Sequence, residues 1–188
     1  MIRLHIWDMD GTILDSMRMW DSIVPDYLMS RGFAPEEELA TILDPMTFED
    51  SLYYILQHYP AVGSKEKLME GIFERVKWHY ENDLKLFDGI REELDSLKVR
   101  GETMVLLSNS PHRLIDIVME KFDLAKYFAH RFSTEDFGRS KEHPEVFEIV
   151  CEVMKTDPSE ALVYDDSPFA LQAAVKAGCN VREYDRYR

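Results

Sequence analysis

The sequence predicts an α/β protein: a parallel sheet with helices on both faces, carrying one all-helical segment inserted after the first strand. Three observations predict it. From about residue 87 onward, short apolar β-rich runs alternate with helical patterns. The stretch 16–86 has helical periodicity and no convincing strand. The polar pairs Asp8/Asp10, Ser108/Asn109 and Asp165/Asp166 each follow an apolar run directly, and sites in open parallel sheets lie beyond the C-terminal ends of strands.

The elements follow in order. "IRLHIW" reads as a strand ending at Asp8. "SMRMWDSIVPDYLMSRG" has apolar residues at helical spacing and stops at Gly32; Pro25 is expected to kink or interrupt it. In "DPMTFEDSLYYILQHY", Thr47 and Asp50 are spaced like a capping box. A third helix runs from about Ser64 towards Asn82, with Leu68, Ile72, Phe73, Val76 and Tyr80 on one face. Then come the helix "DGIREELDSLKVRG", the strand "TMVLLSNS" and the helix "SPHRLIDIVMEKF", for which Ser110 is the expected N-cap and Pro111 the first turn. "AHRFST" is a weaker strand and "HPEVFEIVCEVMK" a helix with an early proline. Asp157 caps a short turn before the strand "ALVY"; "SPFALQAAVKAG" is the last helix and "NVREY" the last strand.

Composition narrows the function. The 188 residues hold 36 acidic and 22 basic side chains, a formal net charge of −14. No Lys/Arg stripe exists that could neutralise a phosphate backbone, which argues against nucleic-acid partners, and the acidity disfavours anionic membrane surfaces. No run approaches membrane-spanning length, and "MIRLHIW" is too short and mixed for a signal segment. Cys151 and Cys179 have no ligand spacing and read as buried small hydrophobes in a reducing compartment. A cytoplasmic protein is expected.

Crowded acids need a reason, because like charges raise one another's pKa. Several carboxylates with one lysine, Lys141, suit a hard divalent cation such as Mg²⁺, which takes oxygen ligands and substrate phosphate. One carboxylate can then act as a nucleophile and a second as general acid and base. Ser108 and backbone N–H groups can hold phosphoryl oxygens.

These residues carry a resemblance. "DMDGTILDS", "VLLSNS", "GRSKEHPEVFEIV" and "LVYDDSPFALQAAVKAG" are similar, in order, to the four motifs of the haloacid dehalogenase-like superfamily, in its phosphatase/phosphomutase branch with a helical cap. Together they span nearly the whole chain. The resemblance implies a Rossmann-like doubly wound core over 1–15 and 87–188 with a helical cap over 16–86. It implies Asp8 as the nucleophile and Asp10 as the acid/base, with Asp10 also a metal ligand through its carbonyl. Ser108 and Lys141 complete the catalytic set. Gly11, Thr12, Ser108, Asn109 and Lys141 are the phosphate-binding candidates, and Asp8, Asp10, Asp165 and Asp166 the metal set for Mg²⁺. Glu142 stands where many relatives have proline, and Pro168 follows the serine of the fourth motif; neither change removes a reacting group. Relatives are often monomers or weak homodimers, and the same is expected here.

Dehalogenase relatives lack an acid at the Asp10 position, so phosphate-ester chemistry is the expected branch: a Mg²⁺-dependent phosphatase of a small metabolite, working through an aspartyl-phosphate. A sugar phosphomutase of the β-phosphoglucomutase type is the alternative, although "LDPMTFEDS" offers no basic residue for a second phosphate. A phosphonate hydrolase would need a cap lysine, and Lys65, Lys67 and Lys77 look like surface residues. A non-catalytic phosphate-binding protein would show lost motif residues, and none is lost. Asp15 is expected to cap the first inserted helix, and His112 and Arg113 to be exposed helix residues. Trp20 either faces the pocket or packs between inserted helices.

Overall fold

The computed structural model describes residues 1–184. Five parallel strands form one sheet: β1 (Leu4–Trp7), β2 (Thr103–Ser108), β3 (His130–Ser133), β4 (Ala161–Asp165) and β5 (Asn180–Glu183), in the order β3-β2-β1-β4-β5. The expected α/β class is what the molecule has. Alternation along the strands explains both faces. Trp7, Leu106 and Tyr164 point to one face, towards α5 (Ile90–Val99) and α6 (His112–Lys121). Ile6, Val105, Leu107 and Val163 point to the other, towards α7 (Pro144–Val153) and α8 (Pro168–Lys176). A strand buried on both faces reads as an unbroken apolar run, and β2 does from Met104 to Leu107.

The first strand is followed by α1 (Met17–Ser30), α2 (Leu39–Leu43), α3 (Phe48–His58) and α4 (Lys65–Asn82). α1 ends in a Schellman arrangement, with Phe33 N–H bonded to Leu28 O at 3.0 Å and Gly32 at φ +87°. Pro25 does not interrupt it. Tyr27 and Leu28, beyond the proline, are buried in the same core as Ile23 and Val24, so packing carries the helix past the lost hydrogen bond. Thr47 caps α3 by accepting Asp50 N–H at 3.0 Å, but the return bond runs from the Thr47 hydroxyl to the Asp50 carboxylate at 2.7 Å. The short α2 has no counterpart in the sequence reading.

The inserted helices share the core of one sheet face. A continuous apolar cluster runs from Trp7 and Leu106 through Leu114 and Val118 into Ile72, Val76 and Tyr80. Where α6 meets α4, the Arg113 guanidinium lies over the Phe73 ring at 3.9 Å, and Lys121 Nζ donates to the carbonyls of Tyr80 (2.7 Å) and Leu84 (2.9 Å). Cys151 and Cys179 are both buried and free. Among the described residues no helix is long and apolar enough to cross a membrane.

Candidate active site

Sheet order brings the polar clusters together. β1 lies between β2 and β4, with Trp7 in register with Leu106 and with Tyr164. The residues beyond them, Asp8, Ser108 and Asp165, therefore leave the same end of the sheet. The connections from β1's neighbours pass to opposite faces, which opens a crevice there. Asp8 N–H continues the ladder to Tyr164 O at 2.9 Å.

Asp8 and Lys141 are both buried, with 4% and 5% of their surface exposed. Lys141 Nζ donates to Asp8 Oδ1 at 2.5 Å and to Asp165 Oδ2 at 2.8 Å. The Lys141 backbone N–H donates to Asn109 Oδ1 at 3.3 Å, which ties the lysine loop to the end of β2. Burial alone would lower the Lys141 pKa, but the charges of Asp165 and Asp8 outweigh it and hold the ammonium above the usual lysine range. Burial, with the charges of Asp165 and Asp166, pushes the Asp8 carboxyl well up despite Lys141.

Oxygens of Asp8, Asp165 and Asp166 lie within 4.8 Å of one another. Asp8 Oδ2 is buried and accepts no hydrogen bond. An orphaned carboxylate oxygen beside other carboxylates is what a hard divalent cation would satisfy, so these residues fit the expected metal. Asp165 is the most occupied of the three: Oδ2 takes Lys141 and Oδ1 takes Ser167 N–H at 2.9 Å. Asp166 is pushed up to about 7, first by burial and then by the charge of Asp165.

Asp10 has a different setting. Its Oδ1 accepts the hydroxyls of Ser16 (2.7 Å) and Tyr80 (2.5 Å), and its Oδ2 accepts Ser110 Oγ at 2.8 Å. Burial and the charge of Asp10 push the Tyr80 hydroxyl well above its ordinary range, so it stays a donor. A cavity of about 230 Å³ lies over Asp8 and Asp10. Ser108, Asn109, Lys141 and Asp166 line its sheet side, and Trp20, Asp21, Asp44, Phe48 and Ser51 its helical side.

A profile of haloacid dehalogenase-like hydrolases matches residues 5–182. The chain belongs to this hydrolase family. Among similar proteins, the phosphorylated carbohydrates phosphatase of Thermotoga maritima is 25% identical over 173 residues, 92% of this chain and 80% of that one. Hexitol phosphatase B of Escherichia coli is 29% identical over 175 residues (92% and 78%), and the phosphoglycolate phosphatase of Escherichia coli 30% over 199 residues (95% and 79%). The structure of CbbY from Rhodobacter sphaeroides in complex with phosphate has the same fold, with a TM-score of 0.84 at 18% identity, covering 100% of this chain and 90% of that one.

Two sequence expectations for this hydrolase change, the caps at Ser110 and Asp15, and the loop after β1 gains detail. Gly11 and Thr12, the phosphate-binding candidates of this loop, stand against Asp166: the Thr12 hydroxyl donates to Asp166 Oδ1 at 3.4 Å, and a Cβ on Gly11 (φ +86°) would collide with that carboxylate. The Asp10 side chain stands apart from the carboxylate cluster and faces three hydroxyls; the metal role expected of Asp10 is that of its backbone carbonyl. Ser110 is not a helix cap. α6 starts at His112 with Pro111 as its N-cap residue, and the Ser110 hydroxyl is drawn to Asp10 while its N–H donates to Ser108 Oγ at 3.0 Å. Asp15 is not the cap of α1 either, since Ser16 holds that position without a side-chain cap bond.

Other placements agree with the reading. His112 pairs at the surface with Asp136 at 2.8 Å. Trp20 does both things expected of it, lining the cavity and meeting the Tyr80 ring edge-on. Lys65, Lys67 and Lys77 do not line the cavity. The residue in contact with this site that the sequence does not single out is Tyr80. It was read only as the end of an apolar helix face, and the available signal was a phenol on that face, which needs a partner when buried.

Proposed function

We propose that this hydrolase is a Mg²⁺-dependent phosphatase of a small phosphorylated metabolite and forms an aspartyl-phosphate on Asp8. The observation that carries the reading is the Asp8 carboxylate itself, with one oxygen gripped by Lys141 and the other bare in a carboxylate cluster. Asp8 attacks phosphorus, and the bond from phosphorus to the ester oxygen breaks. Asp10 gives its proton to that leaving oxygen. The alcohol departs, and Asp10, now a carboxylate, takes a proton from the water that attacks the phosphoryl group. Inorganic phosphate leaves, and both aspartates return to their starting states. Mg²⁺ held by Asp8 and Asp166, with Asp165 beside them, would supply positive charge against the phosphoryl oxygens. Ser108 and Asn109, at the cavity wall, are the donors for those oxygens, and Lys141 keeps the nucleophile aimed. The inserted helices act as a cap that excludes water.

The phosphatase relatives support this reading. The mutase alternative is less well served: Lys141 is the only cation among the described residues lining the cavity, and the helical side adds Asp21 and Asp44, which would repel a second phosphate. The test is phosphate release from a panel of phosphorylated metabolites with Mg²⁺, with chelator, and with Asp8→Asn. Turnover that needs Mg²⁺ and falls at least about 10³-fold in the variant is expected. No release from any ester, an aryl phosphate included, would sink it.

A further inference from the structure

We propose that Tyr80 is the positioning residue of the acid Asp10, tying its aim to the docked state of the inserted helices; this rests on the phosphatase reading above. Asp10 belongs to the loop after β1, whereas Tyr80 belongs to the last turns of α4, 70 residues away. The Tyr80 ring is fully buried, and its hydroxyl meets Asp10 Oδ1 at 2.5 Å. That is a short O–H···O contact, and it is charge-assisted once Asp10 has given up its proton.

The position of the hydroxyl is determined from three sides. Ile72, Val76 and Tyr80 form one i, i+4, i+8 row on the buried face of α4, so the ring is directed inward by helix geometry. Lys121 of α6 bonds the Tyr80 and Leu84 carbonyls, which pins the end of α4 to the sheet-side helix. Trp20 of α1 meets the ring edge-on at 6.5 Å. Tyr80 is thus held to the sheet side through its backbone by Lys121 and through its side chain by Asp10.

The other two donors hold Asp10 less selectively. Ser110 follows β2 and bonds the other oxygen, Oδ2, from the sheet side. Ser16 stands at the start of α1 and shares Oδ1 with Tyr80, while its hydroxyl also reaches Leu14 O at 3.3 Å. Without the phenol, Oδ1 keeps only a donor that is shared with a carbonyl, and the carboxyl can turn away from the leaving oxygen.

The test uses Tyr80→Phe, which keeps the ring and removes the hydroxyl. A buried hydrogen bond that only stabilised the fold would lower Tm and leave substrate preference unchanged. A lost aim of Asp10 slows phosphoryl transfer to Asp8, the step that kcat/KM reads, only for esters whose leaving oxygen must be protonated; its later role as base towards water is common to all esters. We compare kcat/KM for glycerol phosphate, an alkyl ester, with that for p-nitrophenyl phosphate, whose phenolate leaves unprotonated. Tyr80→Phe is expected to lower kcat/KM for the alkyl ester about 10- to 100-fold, with the loss in kcat rather than KM, and for the aryl ester less than about 3-fold. Lys121→Met, which frees the end of α4 without touching the phenol, should give the same skew more weakly and serves if Tyr80→Phe folds poorly. Equal losses on both esters, or none, in a wild type whose turnover needs Mg²⁺ and Asp8 would overturn this inference and leave the phosphatase reading standing. A wild type that releases no phosphate from either ester would overturn both.

Discussion

On the sheet side of the cavity, charged groups are tied to one another: Lys141 joins Asp8 and Asp165, Asn109 holds the Lys141 loop, and Thr12 reaches Asp166. On the helical side, Asp21 and Asp44 stand among Trp20, Phe48 and Ser51, with no cation in the lining. Under the proposed phosphatase reading, the difference separates two jobs. Groups that do chemistry must be held within a few tenths of an ångström, so several elements secure them. Groups that choose a substrate need only the right shape and charge. Tyr80 is the exception, a helical-side residue drawn into the machinery of the other wall.

The sharpest way to break the comparison is to remove the cation of the tied wall. Lys141→Met leaves two buried carboxylates without their partner and is expected to cost about 3–5 kcal/mol in chelator, read as a fall in Tm. An unchanged Tm would mean that the wall is not held by charge pairing.

A smaller effect comes from pH. Asp166 titrates at about 7 in the folded, metal-free protein and near 3.8 as a free side chain. The folded state keeps a proton that the unfolded chain has released, so this contribution is full below about pH 4 and is lost as pH rises towards 7. In chelator, wild-type Tm should fall across that window relative to Asp166→Asn, and Mg²⁺ should restore it. Parallel curves for the two proteins would refute the assignment.

The smallest effect belongs to the untied wall. Asp44→Asn should raise the ratio of kcat/KM for an ester with a second anion over that for an uncharged polyol phosphate by about 3-fold, a change typical of a solvent-screened charge. No change in the ratio would remove Asp44 from substrate choice.

Much of the sheet was legible because a parallel strand buried on both faces must be an apolar run, and the polar residue after it falls at the strand end. Asp8, Ser108, Lys141 and Asp165 were found that way or through the motifs they resemble. Ser110 and Tyr80 were misread for one shared reason. Each has a sound local explanation, a serine before Pro-His as a cap and a tyrosine on an apolar face as core. Their partner, Asp10, is 100 and 70 residues distant. At Gly11 the positive φ of +86° is a local demand for glycine, but a second one, the nearness of the Asp166 carboxylate, comes from a loop 155 positions along the chain.

By itself the sequence determined the class, the order of the strands and longer helices, and which polar residues are candidates for chemistry, because periodicity, caps and residue chemistry act over a few positions. Only the tertiary structure decided which of those groups share a proton, an empty oxygen or a cavity wall. Those relations depend on sheet order and on how α4 packs against α6, and both are set by burial between segments that are far apart in the chain.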